Sequence, residues 1–377
     1  MSLSSDIKEY ALYLGFTKAG ITTAEDFSDF ERELASRGAE YDPWRERLTT
    51  GSKPKSLYPA GKSIIVLAYD YANVSFPQRL TEMIGRAYLS RCYMPLPQSS
   101  AGARLQLFKD FLKKEQCGFI DDKNTIPLRR AAARAGVINF GRNNFAYVDG
   151  AGSFVILYGF IVDKELEYDK PTMENKCPKG CRKCMDACPT KAIYEPFHLN
   201  PQKCIGFNNW GRRNDEGGVS YTTVPRDIRK GIGLHVHGCD ACQAACPRNA
   251  KKLKNTFPRD PYLELFNERF NLADLLLMSD EYYKYCVYPV MYNYIKSKKL
   301  FQRNAAIAIG NTKDDKYLPA LEKAFLNDET TVRIHAAWAL GEIGGIKAKQ
   351  ILEKQNKTEP DGEAKEEIML ALSACSM

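Results

Sequence analysis

Eight of the twelve cysteines crowd between residues 177 and 246. They form one run with the spacing Cys-x3-Cys-x2-Cys-x3-Cys-Pro, then a lone cysteine, then a second run with the spacing Cys-x2-Cys-x3-Cys-Pro. Such short spacings let one loop place several thiolates around a small inorganic group, and thiolates are soft metal ligands. The eight residues are Cys177, Cys181, Cys184, Cys188, Cys204, Cys239, Cys242 and Cys246. The pattern therefore predicts metal-centred chemistry.

Both runs are similar to the two-cluster ferredoxin pattern Cys-x2-Cys-x2-Cys-x3-Cys-Pro, in which the fourth cysteine binds the other cluster. The first run differs from this pattern only in its first gap, which has three residues instead of two. By that crossover we assign the first 4Fe–4S cluster to Cys177, Cys181, Cys184 and Cys246, and the second to Cys188, Cys204, Cys239 and Cys242. A pair of structural zinc sites is the alternative. The doubled Cys-Pro and the unequal spacings favour iron–sulfur clusters, which predict a relay of single electrons from an external donor to a buried acceptor.

The composition describes an ordinary globular protein with a modest positive charge. The chain has 377 residues, of which 44% are hydrophobic and 27% charged, so a mostly disordered or fibrous chain is excluded. The formal charge of +8 permits an anionic partner such as nucleic acid without requiring one. The start turns polar at once, so we expect no signal peptide, and the apolar run near Phe154–Val162 is far shorter than the roughly 18–20 residues that span a bilayer. We expect a cytoplasmic protein without membrane contact, whose thiols are not disulfides.

Three segments follow from the local patterns, and together they predict an α+β multidomain chain. Residues 1–164 read as an α/β domain, residues 165–257 hold the cysteine motifs, and residues 262–377 are helical. In the first segment, apolar spacing predicts helices over Ile7–Gly15, Ala103–Lys114 and Leu128–Ala135, and apolar β-branched runs predict strands over Ser63–Tyr69 and Phe154–Val162. Outside the cysteine motifs, Cys92 and Cys117 are expected to be buried apolar thiols.

The helical segment contains an internal repeat. Ala305–Gly310 matches Ala336–Gly341 at an offset of 31 residues, and a weaker third copy lies at Ile368–Leu372. Each of the first two copies is followed by a polar loop and a second apolar helix. This texture resembles HEAT-like repeats, which often present a concave binding surface. A generic helical bundle is the alternative.

Residues 126–160 form the other informative segment, because glycines and small polar residues alternate with apolar ones. Glycines allow the backbone to approach a bulky ligand closely, and amides and hydroxyls offer hydrogen bonds to it. The alternative is a set of ordinary turns between a helix and two strands. The residues concerned are Gly136, Gly141, Gly150 and Gly152, with Asn139, Asn143, Asn144 and Ser153.

In its order of motifs, the chain resembles the epoxyqueuosine reductases. The glycine-rich segment comes first, and the repeats come last. Between them lie the cysteine motifs, which include Cys-Pro-Thr-Lys-Ala-Ile and Gly-Cys-Asp-Ala-Cys-Gln-Ala-Ala-Cys-Pro-Arg-Asn. Epoxyqueuosine reductases are cobalamin-dependent iron–sulfur enzymes akin to reductive dehalogenases. The resemblance implies a nitroreductase-like or dehalogenase-like corrinoid domain before a two-cluster ferredoxin-like domain. It also implies that the clusters reduce cobalamin to Co(I), which removes the epoxide oxygen of a modified tRNA nucleoside.

The resemblance places cobalamin between the N-terminal domain and the second cluster. We assign its contacts to Gly141, Arg142, Asn143, Asn144, Gly152, Ser153 and His237. It further implies a ferredoxin or flavodoxin as a low-potential electron donor and tRNA as a possible partner. Two rival hypotheses stay open: a related corrinoid iron–sulfur reductase with a different small-molecule or protein substrate, and a corrinoid-free electron-transfer protein whose repeats dock a partner.

The sequence departs from the family at the position of the general acid. The family carries an Asp-x-x-Pro segment followed by Glu before the Ala-Gly helix, whereas Asn124 occupies that aspartate position here and Leu128 replaces the glutamate. An amide cannot deliver a proton. An ungapped count back from Gly136 places Asp122 near the position instead. The candidate proton donors are therefore Asp122, Asp121 and Tyr147.

Overall fold

A computed structural model describes residues 2–93, 95–121, 125–172, 175–210, 212–213, 219–220, 223–291 and 297–375. The contacts of the chain divide it into two units that alternate along the sequence. The first unit comprises Met1–Ser75, Ser90–Gln202 and Ala241–Pro258, and the second comprises Phe76–Leu89, Lys203–Asp240 and Arg259–Met377. The cysteine segment contributes to both. No helix in the described ranges is long and apolar enough to cross a membrane.

A four-stranded antiparallel sheet organises the first unit. Its strands follow the order Lys18–Thr23, Ser63–Asp70, Val155–Val162 and Phe119–Asp121. The two central strands pair along their full length, from Ser63 opposite Val162 to Asp70 opposite Val155. Both were predicted from their apolar β-branched runs and are confirmed.

Alternate residues of the central strand enter two different apolar cores. Ile64 and Val66 pack in a core that includes the alanines of helix Leu128–Arg134. Ile65 and Leu67 pack in the opposite core with residues of helices Leu3–Tyr13 and Ser100–Lys114. Side chains of a strand alternate between its two faces, so a strand covered on both sides is apolar at every position. This explains the unbroken apolar run, and the three predicted helices are confirmed.

Short elements carry the remainder of the first unit, and two small ladders lie beside the predicted site residues. Asn139–Phe140 pairs with Ala146–Tyr147, and Ile193–Glu195 pairs with His198–Leu199. The helices are Ser28–Ala35, Asp42–Gly51, Pro54–Leu57, Lys183–Asp186, Ala241–Ala244 and Ala250–Lys254, with single 3-10 turns at Ala39–Tyr41 and Pro247–Asn249. A further 3-10 turn, Pro201–Lys203, ends this part of the chain.

Stacked helices of the repeat form most of the second unit. Their bounds are Lys298–Thr312, Leu318–Ala324, Thr330–Ile343, Gly345–Asn356 and Gly362–Ala374, with a 3-10 turn at Asp315–Tyr317. Two equivalent glycines permit the close approach of successive helices. A Cβ atom on Gly310 would lie 2.8 Å from the Cα of Ala339, and one on Gly341 would lie 3.0 Å from the Cα of Ala371. Substitution at either position would push the helices apart, which explains why the repeat keeps glycine there.

Buried polar groups fasten the repeat to the rest of the second unit. Arg303 donates to the carbonyl of Asn208 at 2.6 Å, and the amide of Asn304 donates to the carbonyls of Asn209 and Val236, both at 2.9 Å. The other helices of this unit are Gln78–Thr81, Arg86–Leu89, Ile205–Asn208, Arg226–Ile232, Pro261–Arg269, Leu272–Leu276, Asp280–Tyr282 and the π-turn Tyr283–Val287, with a ladder of Arg212–Arg213 and Val219–Ser220. Buried carbonyls that would lack a partner are thereby satisfied.

Candidate metal centre

Four cysteines surround one cavity in the first unit. They are the four that the sequence assigns to the first cluster: Cys177, Cys181, Cys184 and Cys246. The cavity encloses about 320 Å³, including the space at its open mouth. Cys177 and Cys181 come from the loop before helix Lys183–Asp186, Cys184 lies on that helix, and Cys246 follows helix Ala241–Ala244. The rest of the lining is Arg142, Asn143, Tyr147, Pro178, Lys183, Pro247 and Arg248.

The four thiols that line this cavity match the number of ligands of a 4Fe–4S cluster. In the described part of the chain, no group of three or more His, Cys, Asp or Glu side chains is spaced to hold one metal ion. All twelve cysteines are free of disulfides. Burial raises the pKa of the Cys184 thiol, and the nearby thiols of Cys246, Cys177 and Cys181 raise it further. Four mutually repelling thiolates around a cavity need a compensating positive group of some size, and an iron–sulfur cube supplies it.

Of the four cysteines assigned to the second cluster from the sequence, two belong to the first unit and two to the second. In the first unit, Cys188 is buried and its sulfur accepts from the backbone N–H of Ala192 at 3.2 Å, while Cys242 packs against the small apolar cluster of Cys184, Met185 and Ile193. In the second unit, Cys204 and Cys239 are half-buried. Amide hydrogen bonds to cysteine sulfur are typical of cluster ligands, because they stabilise the charged thiolate.

Several residues predicted as corrinoid contacts hold the loops around the first cavity. Arg142 donates to the carbonyl of Cys181 at 3.0 Å. The amide of Asn143 donates to the hydroxyl of Tyr147 at 3.2 Å and to the carbonyl of Cys242 at 3.5 Å. Asn144 has a left-handed backbone (φ 64°) in the turn between the two short strands, where its N–H donates to the carbonyl of Gly141 at 2.8 Å. These contacts fix the cysteine loops, so Arg142 and Asn143 already use polar atoms within the protein.

Tyr147 lies at the inner wall of the same cavity and is only 1% exposed. Burial, with a further contribution from the neighbouring Cys246, raises the pKa of its phenol well above the usual range. The guanidinium of Arg248 lies 3.9 Å from the centre of its ring. A Cβ atom on Gly141 would lie 2.3 Å from that ring, so glycine is needed there. The structure therefore places Tyr147 beside the first set of cysteines as a neutral phenol.

Gly152 and Ser153 hold the second cysteine motif through a buried network. The hydroxyl of Ser153 donates to Oε1 of Gln243 at 2.9 Å and accepts from the amide of Asn249 at 2.8 Å. The N–H of Ser153 also donates to Oδ1 of Asn249 at 2.9 Å, and a Cβ atom on Gly152 would lie 2.2 Å from that oxygen. Gln243 and Asn249 escaped the sequence analysis, although both are polar residues within or directly after the second Cys-x2-Cys-x3-Cys-Pro run.

His237 belongs to the second unit, where it lies within a group of aromatic side chains. Its ring is fully buried, 4.0 Å from the centre of the Tyr88 ring and 5.0 Å from that of Phe301. Its carbonyl accepts from the N–H of Gly85 at 2.8 Å. Burial lowers the pKa of nearby His235, whose ring contacts the carbonyl of Ile232. A role of His237 toward a cofactor stays a prediction.

Two candidate proton donors, Asp121 and Asp122, lie at or just after the end of the strand Phe119–Asp121. The structure describes only Asp121. Its carboxylate forms an ion pair with Lys109. Asp122 and Asn124 lie outside the described residues. Asp121 and Tyr147 are thus both engaged by other groups of the protein.

Comparison with known proteins agrees with these features. The family model for a 4Fe–4S double cluster binding domain matches residues 176–249, and a model for HEAT repeats matches residues 293–373. The epoxyqueuosine reductase of Bacillus subtilis (strain 168) is 32% identical over 392 aligned positions, which cover 97% of this chain and 94% of the relative. The chain belongs to the epoxyqueuosine reductase family. A second member, from Staphylococcus aureus, is 29% identical over 98% of this chain and 96% of its own.

Solved structures of epoxyqueuosine reductase share the whole fold. One, crystallised with an epoxyqueuosine-modified tRNA-Tyr stem loop, has a TM-score of 0.81 at 30% identity, covering 100% of this chain and 99% of its own. Another, from Bacillus subtilis with its catalytic aspartate loop swung out of the active site, has a TM-score of 0.78 at 30% identity, covering 99% and 98%. The predicted fold class is thereby confirmed, and the protein is an oxidoreductase with a double 4Fe–4S domain and HEAT repeats.

Cobalamin is the second cofactor of an epoxyqueuosine reductase, as the sequence predicted. In the first unit, the turn at Gly150 is one place where the backbone borders open space. Gly150 has φ 85°, and a Cβ atom there would meet no atom within 4 Å, so the backbone of this turn is open. The side chains of Arg142, Asn143 and Ser153 make hydrogen bonds within the protein, and their assignment as corrinoid contacts stays a prediction.

Proposed function

We propose that the chain reduces epoxyqueuosine in tRNA, removing the epoxide oxygen as one step of queuosine biosynthesis. The observation that carries this proposal is the full-length similarity to the epoxyqueuosine reductase solved with an epoxyqueuosine-modified tRNA stem loop. That similarity covers 100% of this chain and 99% of the related structure. The formal charge of +8 is compatible with an RNA substrate.

Removal of an epoxide oxygen as water consumes two electrons and two protons. Iron–sulfur clusters pass electrons singly, so a pair of clusters can deliver them in sequence. Bound cobalamin supplies a low-potential nucleophilic metal, and the chain supplies its orientation, the electron path and the protons. Arg142, Asn143 and Tyr147 hold the cysteine loops around the first cluster. A ferredoxin or flavodoxin supplies the electrons from outside.

We propose Asp122 as the proton donor. A general acid must reach the departing oxygen, and a carboxyl group that is already paired or buried elsewhere is poorly suited to it. Asp121 is paired with Lys109, and Tyr147 lies beside the first set of cysteines. The related structure whose catalytic aspartate loop is swung out of the active site supports a role for an aspartate. An ungapped count back from Gly136 places Asp122 near the aspartate position of the family.

The test is anaerobic turnover with a chemical reductant, which removes any dependence on a protein donor. The chain is reconstituted with iron, sulfide and hydroxocobalamin, then incubated with an epoxyqueuosine-containing tRNA stem loop and titanium(III) citrate. Nucleoside analysis by mass spectrometry should show queuosine. A protein that retains corrinoid and both clusters but leaves the nucleoside unchanged would refute the tRNA assignment. Failure to retain corrinoid would instead favour the corrinoid-free electron carrier.

The proton donor is tested with a matched pair of variants. Asp122→Asn should lower the rate by roughly 10²–10⁴-fold, with unchanged iron content and corrinoid spectrum. Asp121→Asn should stay within a few-fold of the unmodified chain, because it loses only the ion pair with Lys109. The reverse order of the two effects would assign the role to Asp121.

A further inference from the structure

We propose that the exposed mouth of the first cluster cavity is the docking site of the electron donor, which we identify as an acidic, low-potential, one-electron carrier protein. The residues concerned are Lys176, Lys179, Arg182 and Lys183, which we call the basic rim. On this proposal electrons enter the chain through the first cluster. The inference rests on the proposed function only for the identity of the final acceptor.

The four cysteines differ in burial, so one side of the cavity lies nearer to solvent than the other. Cys184 and Cys246 are buried, whereas Cys177 and Cys181 are half-buried and lie on either side of the exposed residues Pro178, Lys179 and Gly180. Electron transfer between proteins requires their redox groups to approach closely. The loop that carries Cys177 and Cys181 is therefore where a carrier can come nearest to the first cluster.

All the charged residues of this loop are basic. Residues 175–183 contain four basic residues and no acidic one. Lys183 itself lines the cavity, and all four basic side chains belong to exposed residues. A surface of one sign beside a redox centre raises the rate at which an oppositely charged partner arrives and orients it on arrival.

The charge of the rim is only partly compensated by the protein. Lys176 pairs with Asp149 at 2.9 Å, and Arg182 lies 3.6 Å from Asp186. Within the described chain, no carboxylate lies within 4.0 Å of the amino group of Lys179 or Lys183. Lys183, which lines the cavity, and Lys179, an exposed residue of the same loop, can thus pair with carboxylates of a partner.

A basic surface also suits the phosphates of RNA, but the position of the rim favours a protein carrier. An RNA substrate has to bring one nucleoside to the catalytic group, and nothing about that task calls for positive charge beside half-buried cluster ligands. A carrier protein has to approach those ligands, and it is steered there by this charge. We therefore assign the rim to the carrier and treat RNA binding as an outcome of the test.

The experiment measures cluster reduction directly. The reconstituted chain is mixed in a stopped-flow instrument with flavodoxin hydroquinone, an acidic carrier, and bleaching of the cluster absorbance is followed at several salt concentrations. The double variant Lys179→Glu/Lys183→Glu should be reduced at least about tenfold more slowly at low salt, because favourable steering becomes repulsion. The rate should also lose its fall with rising salt.

A matched control carries the same change of charge on the repeat. Lys347→Glu/Lys349→Glu alters two exposed lysines of helix Gly345–Asn356 and should leave the flavodoxin rate within about twofold. Iron content and complete reduction by excess dithionite establish that the clusters of each variant are intact. The affinity for a fluorescent tRNA stem loop should be the same for the unmodified chain and the rim variant.

Two results would overturn the proposal. One is an unchanged rate of reduction by flavodoxin in the rim variant. The other is a loss of tRNA affinity with an unchanged rate of reduction, which would make the rim an RNA-binding surface. Turnover of tRNA driven by titanium(III) citrate needs no carrier, so failure of the proposed reaction is distinguished from failure of the docking site.

Discussion

The first cluster cavity and the helical repeat are stabilised in different ways. In the repeat, alanines, glycines and Trp338 of successive helices fill the space between them, and the helix Thr330–Ile343 is buried from Val332 to Leu340. The cavity is lined by four thiols and several polar or charged side chains, and it leaves a volume that protein atoms do not fill. Side chains alone therefore fill the interior of the repeat, whereas an inorganic cluster is needed to fill the cavity. Substitutions at the cavity should therefore lower the iron content, and substitutions in the repeat should lower the free energy of unfolding.

The largest effect should come from a cysteine of the cavity. Cys184→Ser removes a buried ligand of the first cluster, so iron should fall from about eight to about four per chain, and turnover with a protein donor should be lost. Iron analysis and electron paramagnetic resonance after reconstitution measure this. Cys375→Ser is the matched control, because it changes a half-buried thiol at the end of the helix Gly362–Ala374 and should leave the iron content unchanged. Full iron in Cys184→Ser would contradict the assignment.

A core substitution in the repeat should show the opposite pattern. Trp338 is 2% exposed, so Trp338→Ala leaves a large cavity and should lower the free energy of unfolding by about 3–5 kcal/mol. The iron content per folded chain should not change. Denaturant unfolding followed by circular dichroism gives the first quantity and iron analysis the second. Ile346→Ala, at a residue 79% exposed, should stay within about 0.5 kcal/mol of the unmodified chain.

Acid should weaken the repeat through His335. Burial, with added repulsion from Arg229 and Arg303, holds the pKa of this imidazole well below its usual 6.5, so it is neutral in the folded chain. Its ring accepts from the N–H of Val224 at 3.1 Å. Because the unfolded chain binds the proton more readily, stability is full above about pH 6.5 and is lost as the pH falls below it.

The measurement is the midpoint of urea unfolding between about pH 7.5 and about pH 5.5. His335→Gln lacks the titrating group and should show a shallower decline with acid than the unmodified chain, although it is less stable at neutral pH. Equal slopes for the two proteins would exclude His335 as a source of the acid sensitivity.

The smallest expected effect is a change of potential at the cavity. Tyr147→Phe removes the phenolic hydroxyl beside Cys246 and keeps the aromatic ring that the guanidinium of Arg248 contacts. Polar hydrogens near cluster sulfurs stabilise the reduced, more negative state, so the midpoint potential of one cluster should become more negative. A redox titration followed by electron paramagnetic resonance measures this. Iron content serves as the control, and an unchanged potential would show that the phenol has no influence on the cluster.

The sequence predicted the parts of the molecule that repeat a local pattern. The central strands, the three N-terminal helices and the HEAT repeats follow from apolar periodicity, which a few neighbouring residues determine. The spacing of the cysteines also predicted which four residues lie around the first cavity. These features are readable because each depends on residues close together in the chain or on a motif with a fixed chemical partner.

The polar network around the cysteines could not be predicted in the same way. Ser153 meets Gln243 and Asn249 across 90 and 96 residues, and Asn143 meets Cys242 across 99. A small polar residue in a glycine-rich segment can contact a ligand or another loop, and only the three-dimensional contacts distinguish the two. The contacts show that Asn143 and Ser153 hold the cysteine loops, and their role toward cobalamin stays a prediction.

The most direct measurement is made on tRNA from cells. A bacterial strain that lacks its own epoxyqueuosine reductase accumulates the epoxide, and expression of this chain should convert it to queuosine in isolated tRNA analysed by mass spectrometry. The Cys184→Ser variant should leave the epoxide in place. Persistence of the epoxide with the unmodified chain, when protein purified from the same cells holds both clusters and cobalamin, would contradict the account.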